Sequence, residues 1–353
     1  MNILVAARLN SEYKLKMTLD PVIHLDFVDR ILLVRRYPVD LPKTVCYCPP
    51  GILKKFILTT ELYRLWMIFY LCWTRKADCL LGIHFIFHCV YTALAKMVFR
   101  LPLMMLIIES PDKYNRNAVF KYFLQKADLI GVRGNHSKQH IIGLGIDDDK
   151  VFITPDIHEF SVQKEPAVKV KKYDLIFVGY HTQAKRLDIL MDVMDQVRKK
   201  IPQVKLALIG DGPLRDMAVA KIYMLGLNDH VEQIGFVESI DPYLEQSKIF
   251  IMTSQTEGLP TVLLEAMAFG LPFIVPDVGD ITDLAVDGYN ALVVKPLDVG
   301  QFSEACIKLL TDQALYDRLA ENSRTMFSEK QKDHTAVHVR NLWRNRLEIL
   351  QKK

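Results

Sequence analysis

The chain has 353 residues, half of them apolar and 24% charged, and its formal net charge is +4. That length suits two domains of about 150 residues each, and the composition excludes a disordered chain. A near balance of charge, with no nucleic-acid motif, argues against a nucleic-acid partner.

From the N-terminus, residues 2–7 are apolar but too short for a secretory signal, and no basic segment precedes them. Short β-type runs follow at 31–34, 79–83, 103–108 and 129–132, after a first one at 3–6. Between them, helical periodicity marks 53–74, 87–99, 119–126 and 137–144, and 151–154 reads as a further strand. Strands alternating with helices predict a parallel sheet covered on both faces. No stretch reaches the roughly 20 uninterrupted apolar residues of a membrane-spanning helix. A cytoplasmic protein, at most peripheral on the inner membrane surface, is the expectation.

Region 52–100 mixes aromatic residues (Trp66, Phe69, Tyr70, Trp73, Phe85, Phe87, Tyr91, Phe99) with Lys54, Lys55, Arg64, Arg75, Lys76, Lys96 and Arg100. Such a mixture can dock on an anionic membrane. Burial against the N-domain sheet is the plainer expectation. Cys46, Cys48, Cys72, Cys79, Cys89 and Cys306 fall mostly in apolar runs and read as buried thiols; the C-x-C of Cys46 and Cys48 has no second pair to make a zinc site. Asp147, Asp148 and Asp149 read as a solvated turn rather than a metal motif. No metal and no cofactor are expected.

Residues 163–172 are polar, contain Pro166 and read as a linker between a domain at 1–162 and a second at 173–328. The alternation restarts there, with strands at 173–179, 205–210, 231–237, 249–254, 272–276 and 292–294. Helices fall at 186–200, 214–225, 240–246, 261–269, 299–311 and 313–327. Two doubly wound α/β domains with a ligand cleft between them follow from this pattern. A last amphipathic helix, within 329–353, is expected to return to the first domain.

The most informative block is 253–280, TSQTEGLPTVLLEAMAFGLPFIVPDVGD. A buried strand ends there and passes through a Gly-Leu-Pro turn into a helix. Pro260 near the helix start leaves Thr261, Val262 and Leu263 as candidate free amide donors, an arrangement that can hold an anion such as a diphosphate. Glu257 precedes the helix and Glu265 lies inside it. Carboxylates accept from paired hydroxyls, so one can hold a sugar and the other a ribose.

The block resembles the E-x7-E signature of glycosyltransferase family four, retaining sugar-nucleotide transferases of the GT-B fold. Further motifs stand in the same order: a strand ending at Gly179 with Lys185 before the next helix, a strand leading into Gly210-Asp211-Gly212-Pro213, and IGFV ending at Val237. The resemblance covers residues 173–325; over 1–150 it extends to strand order alone. It implies that Glu265 binds the donor ribose and Glu257 a hydroxyl of the transferred sugar. Amides of Gly258, Leu259 and the Pro260–Val262 turn would contact sugar and phosphate, Lys185 would neutralise the leaving diphosphate, and backbone at Phe236 and Val237 would lie near the base. The implied function is metal-independent sugar transfer from a nucleotide-sugar donor, UDP-linked by family frequency, to a glycan or lipid-linked acceptor in cell-surface polysaccharide synthesis.

Three departures stand out. The family's arginine after the glycine is Tyr180 here; Arg186 reads either as the substitute cation or as a surface residue. The glycine-rich loop after the first strand is replaced by Ala7-Arg8-Leu9-Asn10-Ser11, where Arg8, Lys14 or Lys16 is the candidate for phosphate or acceptor. The family's histidine beyond an N-domain strand is replaced by Glu109-Ser110, so His84 becomes the candidate for that neighbourhood, with His88 structural. These departures keep two other readings open: a sugar-nucleotide-binding protein impaired in catalysis, and a GT-B epimerase or hydrolase.

Overall fold

The computed structural model describes residues 1–7, 12–111, 118–158, 160 and 171–351, and these divide between two compact units, Met1–His158 with Asp333–Lys353, and Glu159–Lys332. Arg8 and linker positions 163–170 lie outside the described residues.

The first unit is built on β1 (Asn2–Ala7), β2 (Arg30–Val34), β3 (Thr44–Tyr47), β4 (Cys79–Ile83), β5 (Leu103–Ile107), β6 (Leu129–Val132) and β7 (Val151–Ile153). They form one sheet in the order β3-β2-β1-β4-β5-β6-β7, every pairing parallel. Its helices include α1 (Glu12–Ile23), α2 (Ile57–Trp73), α3 (Val90–Phe99), α4 (Ala118–Leu124) and α5 (Asn135–Gly143). Alternate strand residues feed two cores: Ile3, Val5 and Ile31 face α1, while Leu4, Leu32 and Leu80 face α2 and α3. That two-sided burial is why these strands read as continuous apolar runs.

The second unit contains β8 (Tyr173–Val178), β9 (Leu206–Ile209), β10 (Val231–Gly235), β11 (Ser247–Ile251), β12 (Phe273–Pro276) and β13 (Ala291–Val294), all parallel, in the order β10-β9-β8-β11-β12-β13. The helices are α6 (Leu187–Arg198), α7 (Arg215–Met224), α8 (Asp241–Glu245), α9 (Val262–Ala268), α10 (Val299–Thr311) and α11 (Gln313–Lys330). The final helix, α12 (Ala336–Gln351), belongs to the first unit. Its Trp343 is 1% exposed and donates from Nε1 to Thr154 Oγ1 at 2.7 Å. Arg340 forks onto Asp20 of α1 at 2.8 and 3.1 Å. The sequence expectation of two doubly wound parallel sheets is what the structure shows.

Several elements differ from the expectations. Helix α1 went unread because Pro21 and scattered lysines mask its apolar row, yet Leu15, Leu19, Val22 and Ile23 are all buried. Strand β3 is a four-residue edge strand with one exposed and three half-buried residues, too weak a pattern to read. The helix expected over 53–74 is a 3-10 turn, Leu53–Lys55, followed by α2; the one over 87–99 is a π-helical turn, Phe85–Cys89, followed by α3.

Region 52–100 divides between its two readings. One face of α2 (Thr60, Arg64, Met67, Ile68, Leu71, Cys72) is buried, whereas Trp66, Tyr70 and Trp73 are exposed. Arg64 is no surface cation. It is buried, 2.5 Å from Glu61 and 3.1 Å from His88 Nε2. His88 is itself buried, and its part in that cluster is structural. No helix among the described residues is long and apolar enough to cross a membrane.

Candidate functional site

In a parallel sheet every strand ends on the same edge, and ligands collect where the strand order reverses. In the second unit that reversal is at β8, with β9 on one side and β11 on the other. The loop after β8 carries Gly179 to Arg186; the loop after β11 carries Glu257 to Thr261. These two loops carry most of the candidate residues.

They are locked by backbone and hydroxyl contacts. Gln255 N–H donates to the Ala184 carbonyl at 2.7 Å, and the buried Thr253 hydroxyl bridges the Lys185 and Arg186 carbonyls at 3.1 and 3.2 Å. Lys185 closes a 3-10 turn, Gln183–Lys185, and its stem lies over Gly179. The two loops thereby bring Lys185 Nζ to 2.6 Å from Glu257 Oε1, across 72 positions of sequence. Both side chains are mostly shielded, 19% and 13% exposed. A half-buried ion pair keeps each charge satisfied until a ligand offers both a better partner.

Gly279, in the loop after β12, sets the position of Glu257. A Cβ on Gly279 would lie 1.9 Å from the Glu257 carbonyl oxygen, so only glycine lets the two backbones approach this closely. The residue stands in the quoted block, but nothing about its spacing marked it.

Beyond Glu257 the chain passes Gly258, Leu259 and Pro260, all half-buried, into α9. Leu263 N–H is bonded to the Pro260 carbonyl at 3.1 Å, which corrects its expected role as a free donor; Leu264 and Glu265 donate to Thr261. Among the described residues no acceptor stands opposite the amides of Thr261 and Val262. The helix has only seven residues, so any anion is held by these local amides rather than by a long helix dipole. Glu265 is half-buried in its first turn.

The loop after β9 closes the other side. Gly210 has φ +130 and packs against the Gly179 carbonyl, where a Cβ would stand 1.9 Å from the oxygen. Gly212 N–H donates to Asp211 Oδ1 at 2.8 Å. Phe236, after β10, is 78% exposed, while Val237 packs on the core. Arg186, the candidate substitute cation, forks its guanidinium onto Asp188 at 2.9 and 2.7 Å, which holds the Asp188 carboxyl below its usual range. Tyr180, in the family's arginine position, is exposed.

His84 belongs to the first unit, at the end of β4. Its backbone is in a left-handed conformation, φ +71, and its Nδ1 is 3.4 Å from Glu109 Oε1 at the end of β5. The aspartate run carries ion pairs, Lys138 with Asp148 at 2.7 Å and Lys150 with Asp147 at 3.3 Å. Among the described residues no group of three or more His, Cys, Asp or Glu is placed to hold a metal.

One residue of the site gave no sequence signal. His181 is 3% exposed, and neither ring nitrogen has a hydrogen-bond partner. Its backbone ties the two glycine loops, accepting from Leu214 and donating to Asp211 at 3.0 and 2.8 Å, and its Nε2 borders Gly210. Burial pushes the ring below its ordinary pKa, against a smaller opposite pull from Asp211. The ring is therefore folded in neutral, and the sign of the pH effect follows. Above pH about 6.5 folded and unfolded chains both hold it neutral and stability is full. As pH falls below that value the unfolded chain takes up the proton first, so stability declines until the folded-state pKa is passed. His334 of the first unit is lowered by burial too and behaves alike. The melting temperature is expected to drop between pH 7 and about pH 5, and His181→Leu to remove part of that slope. An unchanged slope in the variant would show that the ring is not buried neutral.

Comparisons with known proteins bear on the family and the fold. Residues 159–326 match the family model described as Glycosyl transferases group 1, so the resemblance read over 173–325 is borne out. An uncharacterized glycosyltransferase of Haemophilus influenzae is 28% identical over 164 residues, 46% of this chain and 46% of that protein. N-acetyl-alpha-D-glucosaminyl L-malate synthase of Bacillus anthracis is 28% identical over 185 residues, 52% of this chain and 47% of that protein. The chain thus spans about half the length of the curated relatives it matches. The crystal structure of Anabaena Alr3699/HepE in complex with UDP and glucose superposes with a TM-score of 0.77 at 18% identity, covering 99% of both chains. At that identity the likeness is one of fold: two Rossmann-like domains of the GT-B kind.

Proposed function

We propose that this chain, whose residues 159–326 match the Glycosyl transferases group 1 family, is a retaining glycosyltransferase that moves a sugar from a nucleoside diphosphate to a glycan or lipid-linked acceptor. The observation that carries the reading is the Lys185–Glu257 pair beside two open amides at the switch point of the second sheet. A diphosphate binding at Thr261 and Val262 draws the ammonium of Lys185 to itself, and the released Glu257 carboxylate accepts from a sugar hydroxyl. As the sugar–phosphate bond breaks, Lys185 and the amides meet the charge that grows on the leaving oxygen, which is where a fixed cation accelerates the reaction. Glu265, further along α9, takes the ribose hydroxyls. The fold neighbour that holds UDP and glucose supports a UDP-sugar donor. No side chain is needed as a base if the leaving diphosphate accepts the acceptor's proton, which is the retaining course.

Titration with UDP, GDP and ADP, followed by nucleotide release from UDP- and GDP-sugars with and without glycan and lipid-linked acceptors, tests the reading. Saturable nucleoside diphosphate binding and acceptor-dependent release are expected. Binding without turnover on any acceptor would favour an impaired binding protein, acceptor-independent release a hydrolase or epimerase. Failure of every nucleotide to bind would overturn the assignment.

A further inference from the structure

A surface helix ordinarily turns charged residues outward. Helix α2 does the reverse. Leu58, Leu62, Trp66, Tyr70 and Trp73, spaced at three and four positions, are 71, 57, 57, 38 and 76% exposed, while the buried face holds the polar Thr60 and the cation Arg64. Trp66 and Tyr70 stack on one another at 5.5 Å and still face outward. The row continues before the helix with Ile52 and Phe56, 80 and 66% exposed. A soluble surface rarely carries so long an apolar row without a partner.

The charges around the row select the partner. Lys54 and Lys55 precede α2, and Arg75 and Lys76 follow it. The single acid within 52–76, Glu61, is held against the buried Arg64. The helix has 17 residues, about 25 Å, so the apolar row is bracketed at both ends by cations and opposed by no exposed acid of its own. A second copy of the chain fits this pattern poorly: antiparallel pairing sets Lys54 and Lys55 against Arg75 and Lys76, and parallel pairing sets like against like. An acidic surface with an apolar interior beneath it fits on both counts.

We propose that the outward face of α2 rests on the anionic surface of a lipid bilayer, its tryptophans at headgroup depth and its flanking cations on the lipid phosphates. The helix lies in the plane of the interface, as amphipathic membrane helices do, and indole rings favour that boundary. This inference stands on the first unit alone and does not depend on the transferase reading.

Cosedimentation of the full chain with vesicles of mixed phosphatidylglycerol and phosphatidylcholine, and with phosphatidylcholine alone, is the test. The protein is expected to bind the anionic vesicles, weakening as salt rises, and to leave the neutral ones largely free. Trp66→Ser with Trp73→Ser should weaken binding about tenfold or more. Neutralising Lys54, Lys55, Arg75 and Lys76 to Gln should cost roughly fivefold for each cation. The circular dichroism spectrum and nucleotide titration should match the parent's, since none of these side chains is buried. Equal recovery with both vesicle types, full binding by the tryptophan variant, or a dimer in light scattering that the tryptophan variant dissociates, would each overturn the proposal.

Discussion

Lys185→Ala is expected to lower sugar transfer by about a hundredfold to a thousandfold, the usual effect of removing one fixed donor from a charge developing in the transition state. The substitution removes the cation that pairs with Glu257 at 2.6 Å. It also leaves that carboxylate mostly shielded and unpartnered, so some loss of stability accompanies the loss of rate. The double variant Lys185→Ala with Glu257→Gln separates the two effects. If Lys185→Ala lost rate only by stranding the Glu257 charge, removing both charges would restore what one removal took away. If each acts on the donor, the double variant transfers no faster than Lys185→Ala and binds nucleoside diphosphate no better. Rates and titrations of the three variants measure the difference; parent-like transfer in Lys185→Ala would remove the residue from the site.

Gly210→Ala is expected to be the most destabilising single methyl in the second unit. The added carbon would sit 1.9 Å from the Gly179 carbonyl, and φ +130 is a conformation that alanine rarely adopts. Clash and strain together cost about 4 kcal/mol, which lowers the melting temperature by roughly 8–16 °C in a domain this size. Gly235→Ala provides the control. It has φ +80 but open space around the new carbon. Strain alone, about 1–2 kcal/mol, should lower melting by roughly 2–8 °C. Equal losses in the two variants would show that the close approach to Gly179 is not real.

Apart from the edge strand β3, the strands of both sheets were legible, the inner ones because parallel strands buried on both faces are written as unbroken apolar runs, as in the stretches around Leu175, Leu206 and Phe250. What stayed hidden depends on tertiary partners. Helix α1 is defined by what Leu15 and Leu19 touch rather than by an even periodicity, and Pro21 obscures it. Lys185 and Glu257 were each named from the sequence, but their pairing across 72 positions is visible only in the fold. Arg186 and Asp188 stand two positions apart, but that the bend before α6 forks one onto the other shows only in the fold. Leu263 looked like a free donor until the Pro260 carbonyl took its amide. His181 and Gly279 act through close packing, which leaves no mark in residue type or spacing.

The position of α12 bears on how the protein matures on the ribosome. Val339, Trp343, Leu347 and Leu350 complete one wall of the core around β1 and α1. Residues 159–332, the whole of the second unit, stand between Met1–His158 and that wall in chain order, so the first unit cannot complete its core before the second has been synthesised. Unlike tandem proteins in which the leading domain matures first, this one leaves the apolar side of α1 uncovered until α12 has followed the second unit.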